Sequence, residues 1–335
     1  MNRSLRSHGS RPASISSIGL AFLGLAAGLA CLSLPMNLRA QSDDFNDGDD
    51  TGWTRFNPFA PFGAPAQFSF PGGAYRIQAA LSPAPSQLGP ARAGSLRSDV
   101  VYTNFYIAVD VIDWDDTVRQ AFGILARVNN FGLGTTTGYA FTYERGAGVT
   151  MTSGDTDLSS IVCEPGVSCE IPVGIQTGPS SIHLDSAKDY RFVFVGRGPI
   201  LEGRIYELPD TLNPILTIIG SDNTYESGYA GLVIYDNSGD DIGIRPDVTF
   251  DNYFATDVEP PRIQVESLFA DLYLLSWPAE ASRFVLQESA VLPGIASNWT
   301  DVPDVLLMGD RYNYGVETDP SAGAPARRFF RLVRR

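Results

Sequence analysis

The stretch "NFYIAVDVID" (Asn104–Asp113) constrains the fold more than any other, because its apolar residues recur at every second position. Phe105, Ile107, Val109 and Val111 fall on one side, as half-buried strand residues do. "QAFGILARVNN" (Gln120–Asn130) repeats the pattern through Phe122, Ile124, Ala126 and Val128. "GYAFTYE" (Gly138–Glu144), "DYRFVFVG" (Asp189–Gly196), "LEGRIYEL" (Leu201–Leu208), "YAGLVIYDN" (Tyr229–Asn237) and "DVTFDNYFATD" (Asp247–Asp257) continue it. No stretch shows a convincing apolar stripe at 3.6-residue spacing, so long helices are not expected. The 335 residues include 33 Gly, 23 Pro, 19 Phe and 14 Tyr. Aromatic runs broken by Gly and Pro suit many short antiparallel strands packed as two sheets. A hydrophobic content of 44% is ample for a core.

Residues 1–40 read differently. Four arginines and no acid precede or flank the apolar run Ile18–Leu34, and "NLRA" leads to Gln41. This is the plan of a secretory leader cleaved after Ala40. An uncleaved anchor is the rival, since Leu38 is larger than the position three before cleavage prefers. A lipoprotein site at Cys31 would want a large aliphatic residue three before the cysteine, and "GLA" supplies none. No other stretch approaches membrane-spanning length. The expected location is therefore secreted, extracellular or cell-surface, with the periplasm as an alternative.

Of the 24 basic residues the leader holds four, which leaves 20 against 38 acids and a net charge of −18. Such a chain is not expected to bind nucleic acid or anionic membrane. Cys163 and Cys169, in "CEPGVSCE", flank a Pro-Gly turn and read as one small loop disulfide in an exported chain.

The Pro-Pro pair in "DVEPPRIQVE" marks a linker over residues 258–262. It separates a large domain, 41–257, from a smaller one, 263–335. The latter carries "DLYLLSWP", "SRFVLQES", "NWTDVP" and "ARRFFRLVRR", enough for a compact immunoglobulin-like or fibronectin-like sandwich. Its "RRFFRL" is an alternating last strand with solvated arginines.

With these strands in order, the large domain resembles the concanavalin A-like, laminin-G-like jelly rolls of exported bacterial proteins. The residues that carry the resemblance are "DDFNDGDDTGWTRF", "YRIQA", "GPARAGSLRSDVVYTNFYIAVDVIDWDD", "QAFGILARVNNFGLGTTTGYAFTY", "KDYRFVFVG", "YAGLVIYDN" and "VTFDNYFATD". They cover nearly all of residues 42–257. The resemblance implies an all-β chain, a jelly-roll sandwich followed by a smaller β-sandwich, on a lectin or glucanase scaffold. It does not imply sugar cleavage.

Beta-glucanases on this scaffold carry Glu-x-Asp-x-x-Glu on one strand. The nearest stretch, "DVIDWDDTV", puts Asp113 and Asp115 in the first two slots but Val118 in the third, and has no glutamate. Asp115 and Asp116 read as turn residues. The mature chain has one histidine, His183, and no Gly-x-Ser-x-Gly elbow, so neither a hydrolase triad nor a zinc motif is present. "GLGTTTG" (Gly132–Gly138) leads into a strand and reads as a hairpin loop.

The acidic stretch "SDDFNDGDDTGW" (Ser42–Trp53) suggests Ca²⁺, which oxygen donors suit. It is not an EF-hand: from Asp43 the third position is Phe45, and from Asp44 the fifth is Gly48. Jelly-roll relatives often clip their first and last strands together with calcium, and the resemblance makes Asp44, Asp47 and Asp251 a candidate structural cage. The alternative is that these aspartates cap turns and keep an edge strand soluble.

For a glycan ligand, aromatic faces and planar polar groups are needed. Trp114, at a turn where a large aromatic is less easily buried, is the leading candidate. Arg127, Asn129, Tyr139 and Tyr235 are candidates to share its face, whereas Trp53 and Trp277 are expected in cores. The expected role is glycan or polysaccharide binding without catalysis. A carbohydrate-active hydrolase or lyase and a purely structural or adhesive module are the alternatives.

Overall fold

A computed structural model of the chain describes residues 40–145, 154–162, 171–179, 182–237, 243–290, 299–318 and 327–334. The leader and both Cys163 and Cys169 lie outside the described residues. Fifteen strands make up the large domain. In chain order they are β1 (Gln41–Asp43), β2 (Trp53–Phe56), β3 (Gln67–Ser69), β4 (Tyr75–Gln78), β5 (Arg92–Tyr102), β6 (Phe105–Trp114), β7 (Gln120–Asn129) and β8 (Thr137–Arg145). They continue as β9 (Gly154–Val162), β10 (Ile171–Thr177), β11 (Tyr190–Arg197), β12 (Ile200–Glu207), β13 (Leu216–Ser221), β14 (Gly228–Asp236) and β15 (Asp247–Thr256).

These strands form two antiparallel sheets. One has eight strands, ordered β13-β12-β11-β6-β15-β4-β3, with β1 also on β15; the other has seven, β10-β9-β8-β7-β14-β5-β2. The first and last strands of the domain are paired directly, Gln41 opposite Ala255 and Asp43 opposite Tyr253. Beneath this pairing the Tyr102 hydroxyl donates to Gln41 Oε1 at 3.0 Å.

The core lies between the sheets, where Phe122 and Phe141 of β7 and β8 meet Phe192 of β11 at ring distances of 6.0 and 5.8 Å. The alternation read from the sequence therefore does place Phe122, Ile124 and Ala126 inside. Two bulges interrupt it. Opposite β15 the register slips between Val111 and Asp113, and this slip carries Trp114 to the core side. On β7 the ladder is broken beyond Ala126, and Arg127 has φ +49°. Val128, expected inside with Ala126, consequently packs with Leu96, Leu125 and Ala140 on the opposite face.

Residues 264–334 build two further sheets. The four-stranded one joins β16 (Gln264–Phe269), β17 (Leu272–Pro278), β20 (Leu306–Met308) and β21 (Arg311–Glu317). The three-stranded one joins β18 (Phe284–Ser289), β19 (Thr300–Asp301) and β22 (Phe329–Arg334). Their own core contains Leu275, Trp277, Leu286 and Val316. The intervening chain is held to the jelly roll by Glu259, which accepts from Arg204 at 2.6 Å, and by Arg262, which donates to the Tyr206 hydroxyl at 3.0 Å. Among the described residues no helix is long and apolar enough to cross a membrane.

Candidate ligand site on the seven-stranded sheet

The face of the seven-stranded sheet turned away from the core has a floor of small residues. Three rows run across its strands. Arg92, Tyr235, Ala121 and Glu144 are opposite one another in register; so are Gly94, Val233, Gly123, Thr142 and Asp157; so are Leu96, Gly231, Leu125, Ala140 and Ser159. The glycines are obligatory. A β-carbon at Gly123 would stand 2.0 Å from the Phe141 carbonyl oxygen, and one at Gly231 would stand 2.2 Å from that of Ser95. With glycine or alanine at positions 94, 121, 123, 140 and 231, the larger residues around them enclose a cavity of about 310 Å³.

One wall is aromatic. Phe56 of β2 and Phe131 of the β7–β8 hairpin loop meet at 4.4 Å between ring centroids. The other side is polar. The Tyr235 hydroxyl donates to Glu144 Oε1, and Asn237 Nδ2 donates to Glu144 Oε2 at 2.7 Å. Burial, then the Glu144 charge and hydrogen bond, then the Asp157 charge push the Tyr235 phenol well above its ordinary value, so it stays a neutral donor. Thr142 acts weakly in the opposite sense. The Thr142 hydroxyl is itself buried and has no hydrogen-bond partner of ordinary geometry. On the next strand Ser159 Oγ donates to Asp157 Oδ1 at 2.7 Å.

Of the five residues expected to form a ligand face, only Tyr235 lines this cavity. Trp114 is 5% exposed and packs against Phe122 and Tyr190 inside the sandwich, so it cannot stack on a ligand. Arg127 is a buried clip: it donates to the carbonyls of Thr103, Tyr225 and Gly198 at 2.7–2.9 Å. Desolvation lowers its pKa. Tyr139 is a core residue whose hydroxyl donates to Asp222 Oδ1 at 2.6 Å and accepts from the Tyr225 amide. Its phenol is pushed up to about 12, by burial first and then by the bond to Asp222. Asn129 sits at the exposed end of β7, where its amide holds the carbonyls of Arg127 and Ser227. Phe56, Phe131, Thr142, Ser159 and Asn237, which also line the cavity, were not singled out by the sequence. The available signal was the central glycine shared by "RAGSL", "FGILA" and "YAGLVIY".

The acidic stretch is a series of turn caps. Asp43 accepts from the Phe45 amide at 2.9 Å and from Trp53 Nε1 at 2.8 Å. Asp44, Asp47 and Asp49 each accept from the amide two residues on. Asp50 holds Arg55 through both carboxylate oxygens and accepts from the Tyr75 hydroxyl. Among the described residues no three His, Cys, Asp or Glu side chains converge as a cation cage requires. Asp251 lies near enough to Asp44 to feel its charge, but the Asp47 carboxylate caps the Asp49 amide of its own loop, so the expected trio does not converge among the described residues. The first and last strands are themselves joined by backbone pairing, β1 on β15. Asp115 caps the Thr117 amide at 2.8 Å, as a turn residue does. His183 faces Arg145 at 3.1 Å.

Two antiparallel sheets of eight and seven strands enclosing one aromatic core, with the first and last strands of the domain paired inside the larger sheet, define a concanavalin A-like jelly-roll sandwich. No family model and no curated protein matches the sequence. Solved structures with a similar course include basic winged bean lectin with Tn-antigen, at 9% identity and a TM-score of 0.43, covering 65% of this chain and 98% of the lectin. Another is the CBM2 module of the evolved Dit of Lactobacillus casei BL23 phage J-1, at 14% identity and a TM-score of 0.39, covering 66% and 98%. A third is LamAcat from Zobellia galactanivorans, at 13% identity and a TM-score of 0.37, covering 64% and 96%. The functional reading rests on this chain's own residues.

Proposed function

We propose that the protein is an exported carbohydrate-binding protein that takes a glycan on the outer face of its seven-stranded sheet and does not cleave it. The observation that carries this reading is the cavity itself, with the Phe56–Phe131 pair on one wall and Thr142, Tyr235 and Asn237 on its polar side. A sugar offers what that arrangement lacks: a hydroxyl for the polar floor and a C–H face for the rings of Phe56 and Phe131. Tyr235, Asn237 and Ser159 supply further donors and acceptors around it, with Glu144 behind Tyr235 and Asn237. The acidic balance of the chain favours a neutral ligand at this site over an anionic polymer. The basic, apolar leader supports export.

Glycoside hydrolysis is the second reading, and one juxtaposition favours it. Thr142 is opposite Asp157 and Glu144 is opposite Asp155, so Glu144 and Asp157 are diagonal neighbours on adjacent strands. Diagonal neighbours stand roughly 7–8 Å apart, the range in which two carboxylates flank a scissile bond. Against it, both Glu144 oxygens are already held by Tyr235 and Asn237, which suits a fixed acceptor better than a proton shuttle. The test is to incubate the protein with a panel of neutral polysaccharides and measure both retention and reducing ends. Retention without reducing ends is the expected result. Reducing-end release abolished by Asp157→Asn would establish the hydrolase instead.

A further inference from the structure

We infer that the cleft between the jelly roll and the C-terminal sandwich is a second binding site, for an organic anion bearing carboxylate or sulfate groups. The cleft has a volume of about 690 Å³ and four arginines on its walls, Arg197, Arg262, Arg283 and Arg311, against two acids, Asp257 and Glu259. In a chain of net charge −14 this is a local reversal of sign.

The arginines differ in what they already hold. Arg197 is matched, since Glu259 and Glu202 both face it. Arg262 points its guanidinium at neutral groups, the Tyr206 hydroxyl and the Leu212 carbonyl. Arg311 donates through Nε to Ser276 Oγ at 3.0 Å, and its Nη2 is buried without a partner among the described residues. A buried guanidinium nitrogen with no acceptor is rare in native proteins and marks a place where an acceptor belongs. Among the described residues Arg283 makes no hydrogen bond or ion pair, and it opens into the same cleft. Two forked donors without carboxylates fit planar oxyanions, which guanidinium binds through paired hydrogen bonds.

The cleft is also too large for a single inorganic ion. Its volume lies within the roughly 300–1,000 Å³ of sites that enclose organic ligands. Pro260, Pro261 and Phe284 give it apolar surface for a ring. Donors come from both domains, so a ligand seated there would bridge them. The inference is independent of the glycan site on the seven-stranded sheet, which shares no residue with it.

The test is calorimetric titration of the protein, at low ionic strength, with trigalacturonate, with cellotriose and with inorganic sulfate. Trigalacturonate is expected to bind, and its affinity to fall on raising the salt. Arg283→Gln and Arg311→Gln are each expected to weaken it about tenfold or more, the loss of one charge-assisted hydrogen bond. Arg311→Lys keeps the charge but loses the fork and is expected to fall between. Arg283 is exposed, so its variant keeps the native melting temperature and separates binding from folding. The inference is overturned if trigalacturonate gives no heat, if both glutamine variants bind it undiminished, or if sulfate binds as tightly as the trisaccharide.

Discussion

The Tyr235 hydroxyl on β14 donates to Glu144 Oε1 on β8, across the intervening strand β7. The bond can form because the residue between them in register is Ala121, whose methyl group does not rise above the sheet. The same economy of side chains at Gly123 and Gly231 turns a flat sheet face into a trough with polar groups along one side. That trough is where a glycan is proposed to sit.

Thr142→Val is the cleanest probe of it. The substitution is close in shape and removes a buried hydroxyl that lies beside the Tyr235 phenol. Stability is expected to change by no more than about 1 kcal/mol, the size of one weak internal hydrogen bond. Glycan affinity is expected to fall about tenfold, since the sugar loses its buried partner. Urea unfolding and a binding titration on the same preparation check both halves.

Trp114→Phe addresses the residue that looked most like a sugar platform. Its indole is enclosed by Phe122 and Tyr190, and its Nε1 has no partner among the described residues. The smaller ring leaves a void and is expected to cost about 1–3 kcal/mol by urea unfolding. Glycan affinity is expected to stay unchanged. A loss of affinity in a variant that remains folded would return Trp114 to the binding face.

Asp251 gives a prediction with a defined sign. Burial raises its carboxyl above the ordinary aspartate value of 3.8; the Asn252 amide opposes the rise, and Asp110 and Asp44 add to it. A carboxyl raised on folding destabilises the native state when ionised, and the cost disappears as pH falls through its folded value. Asp251→Asn is therefore expected to raise the melting temperature at pH 7. The gain is expected to vanish well below pH 3.8. Thermal melts of both proteins across that interval decide it.

The strands themselves were legible because burial on one face writes itself as period two, and the core face of β6 and most of β7 follows from it. What could not be read was where the period slips. A bulge leaves no residue-type signature in "VIDWDD", yet it inverts the side on which Trp114 emerges. Arg127 was misread for the same reason. A charged residue inside an alternating strand suggests an exposed face, but a break in the ladder turns it inward onto three carbonyls. The site depends on which residues of five strands share one row, and that register is fixed by hairpin and crossover geometry rather than by any local pattern. Tyr235 was singled out by its chemistry alone; Glu144, the last residue of the hairpin's second alternating run, carried no signal that set it apart.

The account stands on the outer face of the seven-stranded sheet being the glycan site, and a glycan-array screen of the native chain beside Phe131→Ala tests that most directly. Phe131 belongs to a surface loop and to the aromatic wall, so its loss is expected to leave the sandwich folded while opening the cavity. The predicted result is binding to a defined set of neutral glycans by the native protein and a signal at least about tenfold weaker in the variant. Undiminished binding of the same glycans by folded Phe131→Ala would contradict it.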